Sequence, residues 1–107
     1  MAVEFSDAIW AKAGVIIEQG APVFSHNLGF VPPPGLPAPG QVRLTLDQDV
    51  DGAESEVFLT VHDVGGPWSI SYTRPDDTTI DVFITASGSP SLRAFDILVL
   101  RHPVGVG

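Results

Sequence analysis

The chain has 107 residues, which is enough for one domain with its own core and too short for two ordinary domains. It contains no cysteine, so disulfides, thiol nucleophiles and cysteine-based zinc sites are excluded. Thirteen acidic residues against five basic ones give a net charge of −8. Such a charge disfavours binding to nucleic acid and to anionic membranes.

The N-terminal segment carries acids where a secretory signal would carry basic residues, and no long apolar run follows it. No stretch reaches the roughly 18 apolar residues of a membrane span. The sequence therefore predicts a soluble protein made in the cytoplasm, without a signal peptide. Ser6 suits an N-cap and Asp7 suits a first helical turn. Residues 1–13 thus fit either a short helix or an N-terminal arm.

The next segments predict two short strands and a stiff connection. Residues 14–18 and 23–26 are apolar stretches, each followed by turn residues. Residues 30–40, with the sequence FVPPPGLPAPG, hold five prolines and two glycines. Because proline lacks the N–H and fixes φ, this run should stay outside the sheet ladders as an extended connection.

The centre of the chain, residues 41–62, predicts two strands joined by an acidic turn. Aliphatic and polar residues alternate on both sides of the turn, the aliphatics being Val42, Leu44 and Leu46 before it and Val57, Leu59 and Val61 after it. A period of two places each set on one face of a pleated sheet. We therefore predict a hairpin here.

Three further strands are predicted at residues 68–73, 78–86 and 94–101, with turns at 63–67, 74–77 and 87–90. The last of these strands is apolar on nearly both faces, which predicts a central position in a sheet. Aromatic residues in these strands are candidates for the core. They are Trp68, Phe83 and Phe95, with Phe58 and Tyr72 as further candidates.

Six to eight short strands, separated by turn signals about every ten residues, are typical of an all-β fold. We predict one domain over residues 1–107, an antiparallel β-sandwich of jelly-roll or immunoglobulin-like type. Strand alternation by itself does not distinguish a sandwich from a barrel.

The acidic turn matches the Asp-x-Asp-x-Asp-Gly pattern of calcium loops, in which alternate carboxylates converge on a hard cation. Its candidate ligands are Asp47, Asp49 and Asp51. An EF-hand is excluded because Phe58 stands where the bidentate glutamate should be. Two interpretations stay open: a calcium loop of another type, and a solvated turn whose charges keep a sheet edge from pairing with other chains. We favour the second.

No catalytic constellation is evident in the sequence. There is no nucleophile elbow and no glycine-rich phosphate loop. Asp76 and Asp77 follow a proline in a turn, where they suit capping better than catalysis. The histidines share no metal-ligand spacing; they are His26, His62 and His102. We therefore predict that the protein is not an enzyme and needs no cofactor, with calcium as the one candidate ion.

The two tryptophans are the candidate contact residues. Tryptophan stacks on sugars and anchors subunit interfaces, but it also packs cores. Trp68 lies in an alternating strand, which favours the core. Trp10 lies in the ambiguous N-terminal segment and is the better candidate for an interface.

Four segments carry a resemblance to a known group of proteins: GQVRLTL (40–46), VFLTV (57–61), DTTIDV (77–82) and FDILVLR (95–101). From Gly40 onward the chain resembles small β-sandwich domains of bacteriophage and prophage structural proteins, including tail-fibre domains. The resemblance implies a non-enzymatic virion or surface component, often a homotrimer, that contacts other virion proteins or a host surface glycan. It transfers no functional residue.

Two functional hypotheses follow. The first is a structural or attachment component of a phage-like particle that acts by self-association and surface contact. The alternative is a calcium-dependent carbohydrate-binding module, with the acidic turn and an exposed tryptophan as its site.

Overall fold

The structure is a computed structural model that describes residues 9–62 and 68–101. These ranges contain nine β-strands, one 3₁₀ turn (Gly52–Glu54) and no α-helix. The strands are β1 (Ile9–Glu18), β2 (Ala21–Leu28), β3 (Gly35–Ala38), β4 (Gln41–Thr45), β5 (Ser55–Val61), β6 (Trp68–Asp76), β7 (Thr79–Ala86), β8 (Ser89–Pro90) and β9 (Phe95–Arg101).

The strands form two antiparallel sheets. One has four strands in the order β2-β1-β9-β5, and the other has the order β3-β4-β7-β6 with β8 also paired to β7. Each sheet has two open edges within the described ranges, so the fold is a sandwich and not a closed barrel. The predicted all-β antiparallel sandwich is confirmed. The nine strands are one more than the six to eight expected, and two of the nine, β3 and β8, are short pieces.

The core lies between the inner faces of the two sheets. Its buried side chains recur at every second position, as the pleat requires. The central strands contribute Ile80, Val82, Ile84, Phe95, Ile97 and Val99. Phe95 is fully buried, as predicted, whereas Trp68 and Phe83 are only half-buried. The prediction that the last strand is central is confirmed, since β9 lies between β1 and β5.

The first strand begins earlier than the sequence suggested. Residues 9–13 belong to β1, so the short helix and the N-terminal arm considered for this part of the segment are both wrong; residues 1–8 lie outside the described residues. Ala11, Ala13 and Val15 are fully buried at alternate positions. The small alanines fit the closely packed inner face, and β2 and β9 supply ladders on both sides.

The predicted central hairpin is wrong in its pairing. β4 pairs with β3 and β7, while β5 pairs with β9 in the opposite sheet. The acidic segment crosses the sandwich, and Val50 is fully buried within it. The alternation that indicated two strands is correct, but it carries no information about which strands pair. The apolar strand β7 is a better pairing partner for β4, and the apolar strand β9 is a better partner for β5, than β4 and β5 are for each other.

Two strand boundaries differ from the predicted ones, each in a strand that contains a proline. Gly35–Ala38 pairs with β4 although it contains Pro37, so the prediction that residues 30–40 avoid the sheets is wrong at this position. An edge strand tolerates proline where the missing N–H would face away from the ladder. Pro75 likewise lies within β6, which continues to Asp76, and the turn falls at residues 77–78. The predicted turn at 63–67 lies outside the described residues.

Candidate functional site

The acidic segment does not gather its carboxylates into a metal site. Asp47, Asp49 and Asp51 all lie in the connection between β4 and β5, and the described residues contain no group of three or more His, Asp or Glu that could hold a metal ion. Asp51 has another role, since its Oδ1 accepts a hydrogen bond from the N–H of Ala53 at 2.9 Å and caps the 3₁₀ turn.

Arg74 connects the acidic segment to the end of the sandwich by hydrogen bonds. Its guanidinium donates to the carbonyl oxygen of Val50 at 2.5 Å, to Ser55 Oγ at 3.1 Å and to the carbonyl oxygen of Thr79 at 3.2 Å. The N–H of Val50 donates in turn to the carbonyl oxygen of Asp77 at 2.8 Å. The acidic segment is therefore a cover over one end of the core, anchored by its backbone.

Both tryptophans are half-buried and carry an arginine on one ring face. The guanidinium carbon of Arg101 lies 4.3 Å from the ring centroid of Trp10, and that of Arg93 lies 4.2 Å from the ring of Trp68. These are cation–π distances. Each ring thus has one face already occupied, which leaves less of it for stacking on a sugar. Their predicted interface or ligand role stays a prediction.

A concave surface lies elsewhere, on the outer face of the four-stranded sheet. A groove of about 490 Å³ is lined there by Ile9, Lys12, His26, Phe58, Asp96 and Leu98, among others. We call these six residues and the surface between them the outer-face groove. Apolar side chains form its middle, and a lysine, an imidazole and a carboxylate lie around them.

Sheet register assembles the groove from four strands. Lys12 of β1 lies opposite Leu98 of β9, and Leu98 lies opposite Phe58 of β5. In the next row, Gly14 lies opposite both His26 and Asp96. Residues that are distant in the chain therefore share one face because the strands are antiparallel neighbours.

Gly14 allows the histidine to lie low on the sheet. A Cβ at this position would lie 2.6 Å from Cε1 of His26 and 2.5 Å from Oγ of Ser25, both closer than side chains tolerate. The imidazole therefore occupies the space that any other residue at position 14 would fill. The absent side chain lets His26 line the groove.

One side of the groove carries a hydrogen-bonded pair. Nε2 of His62 lies 2.5 Å from Oδ2 of Asp96, with both side chains a little under half exposed. Asp96 is 34 residues away from His62 in the chain and belongs to the adjacent strand, β9. Only the register could have identified it.

Two large apolar side chains on this face of the sheet are exposed to solvent. Phe58 is 49% exposed, and Leu28, which lies opposite Lys12 at the other end of the row, is 61% exposed. The sequence contained a signal for this, because Phe58 alternates with the inward Val57 and Leu59 and so must point outward. The prediction of Phe58 as a core candidate is therefore wrong.

Comparisons with protein-family models, with curated proteins and with solved structures found no match to this chain. Within the described ranges, no helix is long and apolar enough to cross a membrane.

Proposed function

We propose that this protein is a non-enzymatic structural or attachment component that acts by self-association and surface contact, and that the outer-face groove is its contact surface. One observation carries the proposal: Phe58 is half-exposed beside Leu98 on an otherwise regular sheet face. Aromatic side chains in such a setting are the usual energetic anchors of protein interfaces.

The energetics support contact with a protein surface. Covering the exposed half of a phenylalanine side chain contributes on the order of 1 kcal/mol from area alone. Neighbouring Ile9 and Leu98 add to the same patch. Lys12, Asp96 and His62 lie around it and provide the polar rim that gives an interface its orientation.

The place of action, the partners and the oligomeric state in this proposal come from the sequence resemblance. It supports a phage-like particle as the place of action, other virion proteins or a host surface glycan as partners, and a homo-oligomer, with a trimer as the expected form. The groove is compatible with each of these because it makes a surface available without specifying what covers it.

The first test is the solution mass of the protein, measured by size-exclusion chromatography with light scattering, for the wild type and for Phe58→Asp. We expect an oligomer that Phe58→Asp dissociates, because the new carboxylate cannot be buried without a partner. Leu36→Asp is the control, since Leu36 is also a large apolar residue and 45% exposed but lies on the other sheet.

A monomeric wild type, or equal dissociation by both variants, would contradict the assignment of the groove. A glycan array with and without a calcium chelator completes the test. Glycan binding that the chelator abolishes would replace this proposal with the carbohydrate-binding alternative.

A further inference from the structure

One of the four edge strands of the sandwich, β5, differs from the other three because it contains no proline. An edge strand offers unpaired N–H and C=O groups to other chains, and proteins commonly block such edges with proline or bulges. β2 contains Pro22, β3 contains Pro37 and β6 contains Pro75. β5 contains no proline, and all seven of its residues pair with β9 in an unbroken register.

The backbone of β5 presents a defined set of groups to the open side. The N–H of His62 donates to the carbonyl oxygen of Ala94 at 2.9 Å, and the two residues continue the β5–β9 register. Hydrogen-bonded pairs alternate along an antiparallel ladder. Hence Val57, Leu59 and Val61 direct their N–H and C=O groups away from β9. No described strand pairs with that side.

The inward side chains of β5 are consistent with an uncovered edge. Val57, Leu59 and Val61 face the core, yet each is only half-buried, whereas Ile97 and Val99 on the adjacent strand are almost fully buried. A further strand beside β5 would cover both these side chains and the outward backbone groups.

The sequence of β5 is complementary to itself in antiparallel orientation. Glu56 and His62 lie three residues on either side of Leu59. Pairing centred on Leu59 therefore places Glu56 opposite His62 of a second copy, and does so twice. An acidic side chain opposite an imidazole is a favourable cross-strand pair.

The same register also matches the remaining positions. It places Val57 opposite Val61 and Phe58 opposite Thr60, so the β-branched and aromatic residues meet across the two-fold axis. It brings the outer-face grooves of both copies onto one continuous sheet face. The register thus matches both the Glu56–His62 pair and the remaining positions, and this favours a second copy of the chain as the occupant of the edge. A strand from another protein would lack this two-fold symmetry.

We propose that β5 pairs antiparallel with β5 of a second copy, with Leu59 at the two-fold axis, and joins two four-stranded sheets into one of eight strands. The inference rests on the proposed function, because it names the partner and the edge for self-association. An isologous contact of this kind closes after two copies, so it specifies a dimer in place of the trimer that the resemblance implies.

The first experiment compares the solution masses of Val57→Pro and Val57→Ala. Proline at position 57 removes an outward N–H and leaves the ladder with β9 intact. Alanine loses the same side-chain contacts but keeps the N–H. We expect the wild type and Val57→Ala to be dimers under conditions in which Val57→Pro is a monomer. A dimer that Val57→Pro leaves unchanged would overturn the inference.

The second experiment uses disulfide cross-linking, for which the background is clean because the chain has no cysteine of its own. The double variant Glu56→Cys, His62→Cys should form disulfide-linked dimers under mild oxidation, since opposed non-hydrogen-bonded residues lie about 4.5 Å apart between Cα atoms. Within one copy the two positions are about 20 Å apart along the strand and cannot bridge.

Each single cysteine variant is the control. Two copies of the same position would lie about 20 Å apart across the axis, so neither variant should cross-link. Cross-linking of a single variant, or its absence in the double variant, would contradict the Leu59-centred register.

The outcomes separate this inference from the proposed function. A trimer, or a dimer that depends on Phe58 but not on the N–H of Val57, would overturn the edge pairing and leave the contact function standing. A monomeric wild type would overturn both.

Discussion

The guanidinium of Arg43 holds the carboxylate of Asp81 through two parallel hydrogen bonds, from Nε to Oδ1 at 2.8 Å and from Nη2 to Oδ2 at 2.9 Å. Asp81 lies on the outer face of the five-stranded sheet, directly opposite Arg43, and its side chain is only 6% exposed. The pKa of Arg43 is raised, first by the hydrogen bond to Asp81 and then by the attraction of its charge. This pair covers part of one outer face, while the other outer face stays open at the groove.

Arg43→Met should destabilise the fold, because it leaves the buried Asp81 carboxylate without its bidentate partner. We expect the melting temperature to fall by about 5–10 °C for a domain of this size, measured by calorimetry. The double variant Arg43→Met, Asp81→Leu should recover most of the loss, since replacing both partners by apolar groups is often nearly neutral. A single variant as stable as the wild type would show that solvent already supports the carboxylate.

Asp76 should make stability depend on acidic pH. Its Oδ1 accepts hydrogen bonds from the N–H and the hydroxyl of Thr78, both at 2.9 Å, and these hold the pKa of Asp76 below its ordinary value, the N–H contributing most. A carboxylate with a lowered folded pKa stabilises the fold above its unfolded pKa and loses that effect as the pH falls through the folded pKa.

The measurement is the difference in melting temperature between the wild type and Asp76→Ala at several pH values. The difference should be full at pH 7 and should shrink as the pH falls from the ordinary aspartate pKa of about 3.9 towards the lower folded pKa. Asp77→Ala removes the neighbouring charge of the same turn and serves as the control. A difference that grows on acidification would have the wrong sign for this account.

Calcium should leave stability unchanged. A site with a dissociation constant one hundredth of the calcium concentration would add about 2.7 kcal/mol to the free energy of unfolding, which is readily visible in a melting curve. The described residues place no three acidic side chains together, so we expect no shift between millimolar calcium and chelator. Asp51→Ala should cost about 1 kcal/mol in either condition, because it removes the cap on Ala53. A calcium-dependent rise in melting temperature would restore the calcium-loop hypothesis.

Two glycines with the same backbone conformation should differ sharply in their tolerance of alanine. Gly29 and Gly20 have φ of +90° and +79°, so alanine is strained by about 1 kcal/mol at either position. At Gly29 a Cβ would also lie 2.8 Å from the carbonyl oxygen of Trp10, whereas nothing lies within 4 Å at Gly20. Chemical denaturation should show Gly29→Ala to be the less stable by at least another 2 kcal/mol. Equal stabilities of the Gly29→Ala and Gly20→Ala variants would mean that β1 shifts to accommodate the new methyl group with little loss of stability.

Part of the candidate surface was within reach of the sequence. Alternation along β5 already pointed Phe58 outward, and the apolar last strand already predicted its central position. The other members of the groove were not predictable in this way. Lys12, His26 and Asp96 meet because β1, β2 and β9 are neighbours, and no local pattern states that.

The sequence by itself determined most of the strands, their inward faces and the all-β class, because a period of two records on which side of a sheet each residue lies. Only the tertiary structure decided which strands pair. It separated β4 from β5, joined β5 to β9 and so placed His62 against Asp96. The physical reason is that pairing results from competition among all strand edges at once, and it depends on residues far apart in the chain.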